Sequence, residues 1–144
     1  MTEKKDYPLA RAYLGRVQNA QKKVDWLRQQ AANLRMLTTD TSVHYTSMPH
    51  SDSPDQQKLL TILAEIDELE RQIPAAESAV SAIRLEVGET ICRIPDHTIQ
   101  GLLRDRYLEG KSWKEISKGL GYQISQTYLL HRQGLASLEK LKTS

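Results

Sequence analysis

The chain has 144 residues and a formal charge of +2; 39% of it is hydrophobic, 6% aromatic, and Phe is absent. That length suits one domain or a small domain with an extended element, and the low apolar content favours helices with narrow apolar seams over a large globular core. A single cysteine excludes an internal disulfide framework and suits a reducing cytoplasm, no apolar run approaches the ~20 residues of a membrane span, and the first residues lack the apolar core of a signal peptide.

From the N-terminus, Ala10, Tyr13, Val17, Ala20, Val24, Leu27, Ala31 and Leu34 follow one another at alternating spacings of three and four. This is a heptad seam, and it predicts a helix over about 8–37, ~45 Å long, with Pro8 in its first turn. A loop is expected over 38–54; its His44 and His50 suit a surface role, and its Tyr45 and Met48 suit a polar connector or a partner anchor. A second seam runs through Leu59, Ile62, Ile66, Leu69, Ile73, Ala76, Val80, Ile83 and Val87. It predicts a helix over about 55–94, ~60 Å long, with Ser53 as its cap, Pro54 at its first position and Pro95 as its stop. Pro74 falls inside this seam, in phase with it, so a kinked continuous helix is expected, with a break at Ile73 as the alternative. Cys92 is expected as a small buried or half-buried apolar residue.

Charge is strongly patterned. Residues 1–37 hold eight Lys/Arg against three Asp/Glu, residues 38–94 four against ten, and residues 95–144 eight against five. The basic and acidic blocks suit an antiparallel hairpin over residues 1–94. Such a hairpin buries little, and several seam positions are Ala, so a homodimer in a four-helix arrangement is expected. The alternative is a hairpin packed on the C-terminal domain of its own chain.

Residues 95–144 read as a second domain. Gly110 can take the left-handed conformation that ends a helix after Leu108. Ser112-Trp113-Lys114-Glu115 is a capping box, with the Ser112 hydroxyl on the Glu115 amide and the Glu115 carboxylate on the Ser112 amide. Trp113, Ile116 and Leu120 share one face of the short helix that follows, and Gly121 stands where the chain must turn. A last helix is expected over about 124–140, with Thr127, Leu130, His131, Leu135 and Leu138 buried and Gly134 allowing close approach of another backbone. His131 on that stripe reads as a core histidine with a hydrogen-bond partner. The order of caps and turns is that of a helix-turn-helix, a module that mostly reads double-stranded DNA; the plainer alternative is a trihelical domain that binds none. The fold class expected is all-α, a long coiled-coil hairpin followed by a trihelical helix-turn-helix domain.

On such a module Lys111, Lys114 and Lys118 are candidate phosphate contacts. Gln123, Ser125, Gln126, Tyr128, Leu129, Arg132 and Gln133 lie off the buried stripe of the last helix. Gln126 can read adenine bidentately, and Arg132 can read guanine or take a phosphate. Arg132 is the only cation between Tyr122 and Leu138. Few phosphate contacts mean weak binding with a shallow salt dependence, so an isolated domain is expected to need dimerisation or RNA polymerase to hold its site.

The run Arg106-Tyr107-Leu108-Glu109-Gly110-Lys111-Ser112-Trp113-Lys114-Glu115-Ile116-Ser117, with Leu120-Gly121-Tyr122 after it, resembles region 4 of sigma-70-type factors, the part that reads promoter DNA. The resemblance covers about forty residues, and nothing in the chain resembles region 2. With the loop Thr41–Ser51, the whole chain is similar to small prophage proteins of Gram-positive bacteria and to phage transcription regulators of the ArpU and RinA kind. The resemblance implies a DNA-binding phage regulator in the bacterial cytoplasm, with Ser125, Gln126, Tyr128, Leu129 and Arg132 facing the groove. The chain departs from the sigma pattern in carrying few cations there.

An enzyme is not expected. His44, His50, His97 and His131 are scattered, no metal-ligand motif, glycine-rich phosphate loop or nucleophile elbow is present, and no cofactor is implied. The rival reading is a coiled-coil adaptor, or an inhibitor of a host factor, whose helix-turn-helix has become a protein-binding surface.

Overall fold

The computed structural model describes residues 6–43 and 54–143, and among them the chain is all-helical. Helix α1 spans Pro8–Val43, α2 Pro54–Ile91, α3 His97–Leu103, α4 Trp113–Leu120 and α5 Ile124–Thr143, with a π-helical turn over Arg104–Leu108 between α3 and α4. No described helix is long and apolar enough to cross a membrane. The chain divides into two compact units, Met1–Ala20 with Val80–Ser144, and Gln21–Ala79.

In the Gln21–Ala79 unit the two seams do what their spacing predicts. Val24, Leu27 and Ala31 of α1 and Ile62 and Ile66 of α2 are buried. Arg28 pairs with Glu77 and Arg35 with Glu70, so the helices run antiparallel here. These pairs are half exposed and each adds only ~0–1 kcal/mol, which fixes orientation more than stability. α2 passes Pro74 unbroken, and Pro74 sits at an exposed position.

Helix ends depart from expectation in two places. α1 continues past residue 37 to Val43. The hydroxyls of Thr38 and Thr39 donate back to the Arg35 carbonyl at 2.6 and 3.1 Å, which lets both threonines stay helical instead of opening a loop. α2 stops at Ile91, short of 94, because Pro95 disfavours the helical conformation at Ile94. The amides of Arg93 and Ile94 tighten onto Thr90 and Ile91 at 3.0 Å, and the Gln100 side chain takes the carbonyls of Cys92 and Ile94. Cys92 consequently falls in a turn and is exposed, not half-buried, with its Sγ accepting from Arg104 at 3.3 Å. The expected cap Ser53 and the loop residues His44, Tyr45, Met48 and His50 lie outside the described residues.

The other unit has one core. Ala10, Tyr13, Leu14 and Val17 of α1 and Val87 and Ile91 of α2 are buried in the same cluster as Leu102, Leu103, Ile116, Leu135 and Leu138. The boundary expected at 94/95 is therefore no boundary between cores. Tyr13 and Thr90 share a 2.7 Å hydroxyl bond, Arg16 pairs with Glu86 at 2.6 Å, and the Ala10 amide donates to Glu139 Oε1 at 2.8 Å. That last bond gives α1 an N-terminal carboxylate supplied from α5.

Gly134 shows the close approach its position suggests. A Cβ there would stand 2.8 Å from Ile99 Cγ2 and 3.1 Å from Leu103 Cδ1. Gly134→Ala is expected to lower stability by about 1–2 kcal/mol, overpacking outweighing the helix propensity gained. Thermal denaturation followed by circular dichroism checks this; an unchanged or raised Tm would mean that Ile99 yields freely.

Candidate nucleic-acid interface

The local chemistry of α4 and α5 builds a rigid joint. Gly110 and Gly121 both adopt the left-handed conformation, with φ of 70° and 73°. Ser112 caps α4, its Oγ accepting from the Glu115 amide at 3.1 Å. The box closes differently from expectation: the Glu115 carboxylate takes the Ser112 hydroxyl at 3.2 Å and not the Ser112 amide. A hydroxyl can serve both roles, so the helix end is satisfied by one residue pair. At the far end of α4, the Gly121 amide donates to the Lys118 carbonyl at 3.3 Å and the Tyr122 amide to the Ser117 carbonyl at 3.1 Å. The buried Ser117 hydroxyl then donates to Thr127 Oγ1 at 2.9 Å. Thr127 in turn donates to the Gln123 carbonyl at 3.1 Å, so a polar chain links α4, the turn and α5.

Around this joint lies an aromatic cluster. The Tyr107 hydroxyl and His131 Nε2 are 2.6 Å apart. The Trp113 ring meets His131 edge-on at 4.5 Å and Tyr128 at 5.3 Å. Arg106 stacks over Trp113 at 4.7 Å and donates to the Lys111 carbonyl. Burial, with Arg11, Arg106 and Arg132 nearby, pushes the His131 pKa down to about 4. Burial raises that of Tyr107, against the opposing pull of Arg11 and Arg106, so its hydroxyl stays protonated and can donate to a neutral imidazole.

Gln123, Ser125, Gln126, Tyr128, Leu129, Arg132 and Gln133 are all exposed, opposite the buried Thr127, His131 and Gly134. Ser125, Leu129 and Arg132 form one ridge, with Gln126 and Gln133 along its flank. Lys114 and Lys118 are exposed on α4 and make no ion pair with a described residue. Lys111 is different: its Nζ lies 3.4 Å from Asp105 Oδ1, which removes part of its charge from an approaching phosphate. Tyr128 is also partly engaged, its ring held by Trp113. Sequence reasoning passed over Tyr122 and Ile124, which are exposed beside the turn, and Arg106, whose place depends on the π-helical turn.

Among the described residues no group of three or more His, Cys, Asp or Glu is placed to hold a metal. The arrangement offers hydrogen-bonding and apolar side chains on a fixed helix, which is the chemistry of recognition. No family model, curated protein or solved structure matches the chain.

Proposed function

We propose that the protein is a sequence-specific DNA-binding transcription regulator of phage type: an N-terminal antiparallel coiled-coil hairpin joined to a C-terminal helix-turn-helix similar to sigma region 4. The observation that carries this reading is the state of α5. One side is fixed to α4 by the Ser117–Thr127 bond, while the other exposes Ser125, Gln126, Leu129 and Arg132 to whatever fills the space outside. An α-helix with that exposure fits the major groove, and Lys114 and Lys118 on α4, in no ion pair with a described residue, supply phosphate contacts.

In this reading the protein acts as a homodimer in the bacterial cytoplasm, alone or with RNA polymerase. Exposed Trp26, Met36, Leu60 and Leu63 on the Gln21–Ala79 unit support self-association. Two recognition helices ~34–36 Å apart would then meet half-sites one turn apart.

The test is selection of bound duplexes from the source DNA by full-length protein, at two salt concentrations, with excess competitor. One recovered region is expected. Lys114→Ala with Lys118→Ala should weaken binding to every sequence alike and reduce the salt slope by ~0.9 for each phosphate that no longer meets a lysine. Exposed Tyr122, Ile124 and Leu129 favour a second reading, an adaptor or host-factor inhibitor. Sequence-blind recovery, or none, would transfer the assignment to that reading.

A further inference from the structure

We propose that α5 reads a half-site biased to A·T, with Leu129 against the 5-methyl group of a thymine and Gln126 bidentate on a neighbouring adenine; this rests on the DNA-binding reading above. The four base edges of the major groove ask for different chemistry. Adenine presents an acceptor and a donor, which one side-chain amide matches. Thymine presents a methyl group, which an apolar side chain matches. Guanine presents two acceptors and asks for Arg or Lys; cytosine presents an amino group and asks for a carboxylate.

The exposed face of α5 answers these requests unequally. Gln126 and Gln133 supply amides, and Leu129, 50% exposed at the centre of the ridge, supplies the apolar contact. Arg132 is the one cation there. A carboxylate is missing from this face. The first acid of α5 is Glu139, fourteen residues or ~20 Å beyond Ser125, and it is held by the Ala10 amide at 2.8 Å. A cytosine therefore meets no carboxylate on α5, and a guanine meets only one cation, Arg132. The exposed half of Leu129 faces water, whereas against a thymine methyl it would bury apolar surface on both sides.

The experiment uses full-length protein, a random duplex library and fluorescence anisotropy at fixed salt. The selected half-site should be A·T at its central pairs. Replacing the contacted thymine by uracil removes one methyl group and should weaken the wild type about fourfold, the worth of one buried methyl. Leu129→Ala should bind thymine and uracil duplexes equally. Gln126→Ala should lower discrimination between A·T and G·C at the neighbouring pair by about tenfold. Both side chains are exposed, and circular dichroism verifies that each variant is folded. A specific site with G·C at its centre, or a uracil effect of the same size in Leu129→Ala, would overturn the base assignment and leave the DNA-binding reading standing. Recovery of no specific site would overturn both.

Discussion

Shortening Leu14 to alanine is expected to destabilise the unit that carries α3, α4 and α5 by ~2–5 kcal/mol, although Leu14 lies about a hundred residues before α4. Leu14 is fully buried, in the same cluster as Leu102, Leu103, Leu135 and Leu138. Its removal leaves a cavity that side chains from several helices would have to collapse into. The two tryptophans permit a local measurement, because Trp113 lies on α4 and Trp26 in the other unit. Trp26 is 57% exposed, so Trp26→Phe should change stability by no more than ~0.5 kcal/mol. In that background, urea denaturation followed by Trp113 fluorescence should show its midpoint shifted downward by Leu14→Ala. An unmoved midpoint would mean that α1 is not part of the core beneath α3, α4 and α5. The same packing bears on how binding is measured. A fragment beginning at Asp96 would lack Leu14, Val87 and Ile91, so the proposed DNA binding belongs to a test on the whole chain.

Leu14 also marks where sequence patterning carried less than it held. Along Gln21–Ala79 the buried apolar positions, Val24, Leu27 and Ala31 on α1 and Ile62 and Ile66 on α2, keep to spacings of three and four, and a narrow seam is all that two paired helices need. At the start of α1 the pattern broadens to Ala10, Tyr13, Leu14 and Val17, at i, i+3, i+4 and i+7. That is the wider stripe of a helix in a globular core. Reading only the heptad keeps Tyr13 and Val17 and discards Leu14; the extra leucine was the signal. Ile91, past the last seam position of α2, broadens the other helix in the same way. The end of α1 was less legible, because Thr38 and Thr39 suit a loop by propensity and only their back-bonds to Arg35 keep them helical.

The candidate interface was readable where its causes are local. Gly110, Ser112 and Gly121 act on their immediate neighbours, and each appears in the conformation its chemistry suggests. Every proposed contact on α5 is exposed, because excluding the buried stripe is a sound way to find the opposite face. What was hidden depends on contacts across the fold. Lys111 reads as a free cation in the sequence, yet the π-helical turn brings Asp105 to 3.4 Å from it. Tyr107 becomes the partner of His131 across twenty-four residues. The stripe established that His131 needs a partner, but several hydroxyls could have supplied it.

Acidification should unfold the unit that carries α3, α4 and α5 through that pair. His131 has its pKa depressed from 6.5 to about 4 in the folded protein, chiefly by burial and then by Arg11, Arg106 and Arg132. The unfolded chain therefore binds more protons than the folded one between those values. Stability from neutral His131 is fully present above pH 6.5 and is lost as pH falls towards 4, amounting at most to about 3 kcal/mol. Protonation would also place a proton on an imidazole that now faces the Tyr107 hydroxyl, within 4.5 Å of the Trp113 ring. His131→Gln keeps an acceptor for Tyr107 but does not titrate. Urea denaturation at steps between pH 7 and 4.5, read through Trp113, should therefore show a steeper decline for wild type than for His131→Gln. The difference between the two curves isolates this group from the carboxylates that also titrate towards the acid end. The DNA binding proposed for α5 should fail over the same range, because the polar link from Ser117 to Thr127 and the exposed face of α5 depend on the same packed helices. Parallel curves would mean that His131 accepts its proton without cost, and that the cluster of Tyr107, Trp113 and Tyr128 opens more readily than its geometry implies.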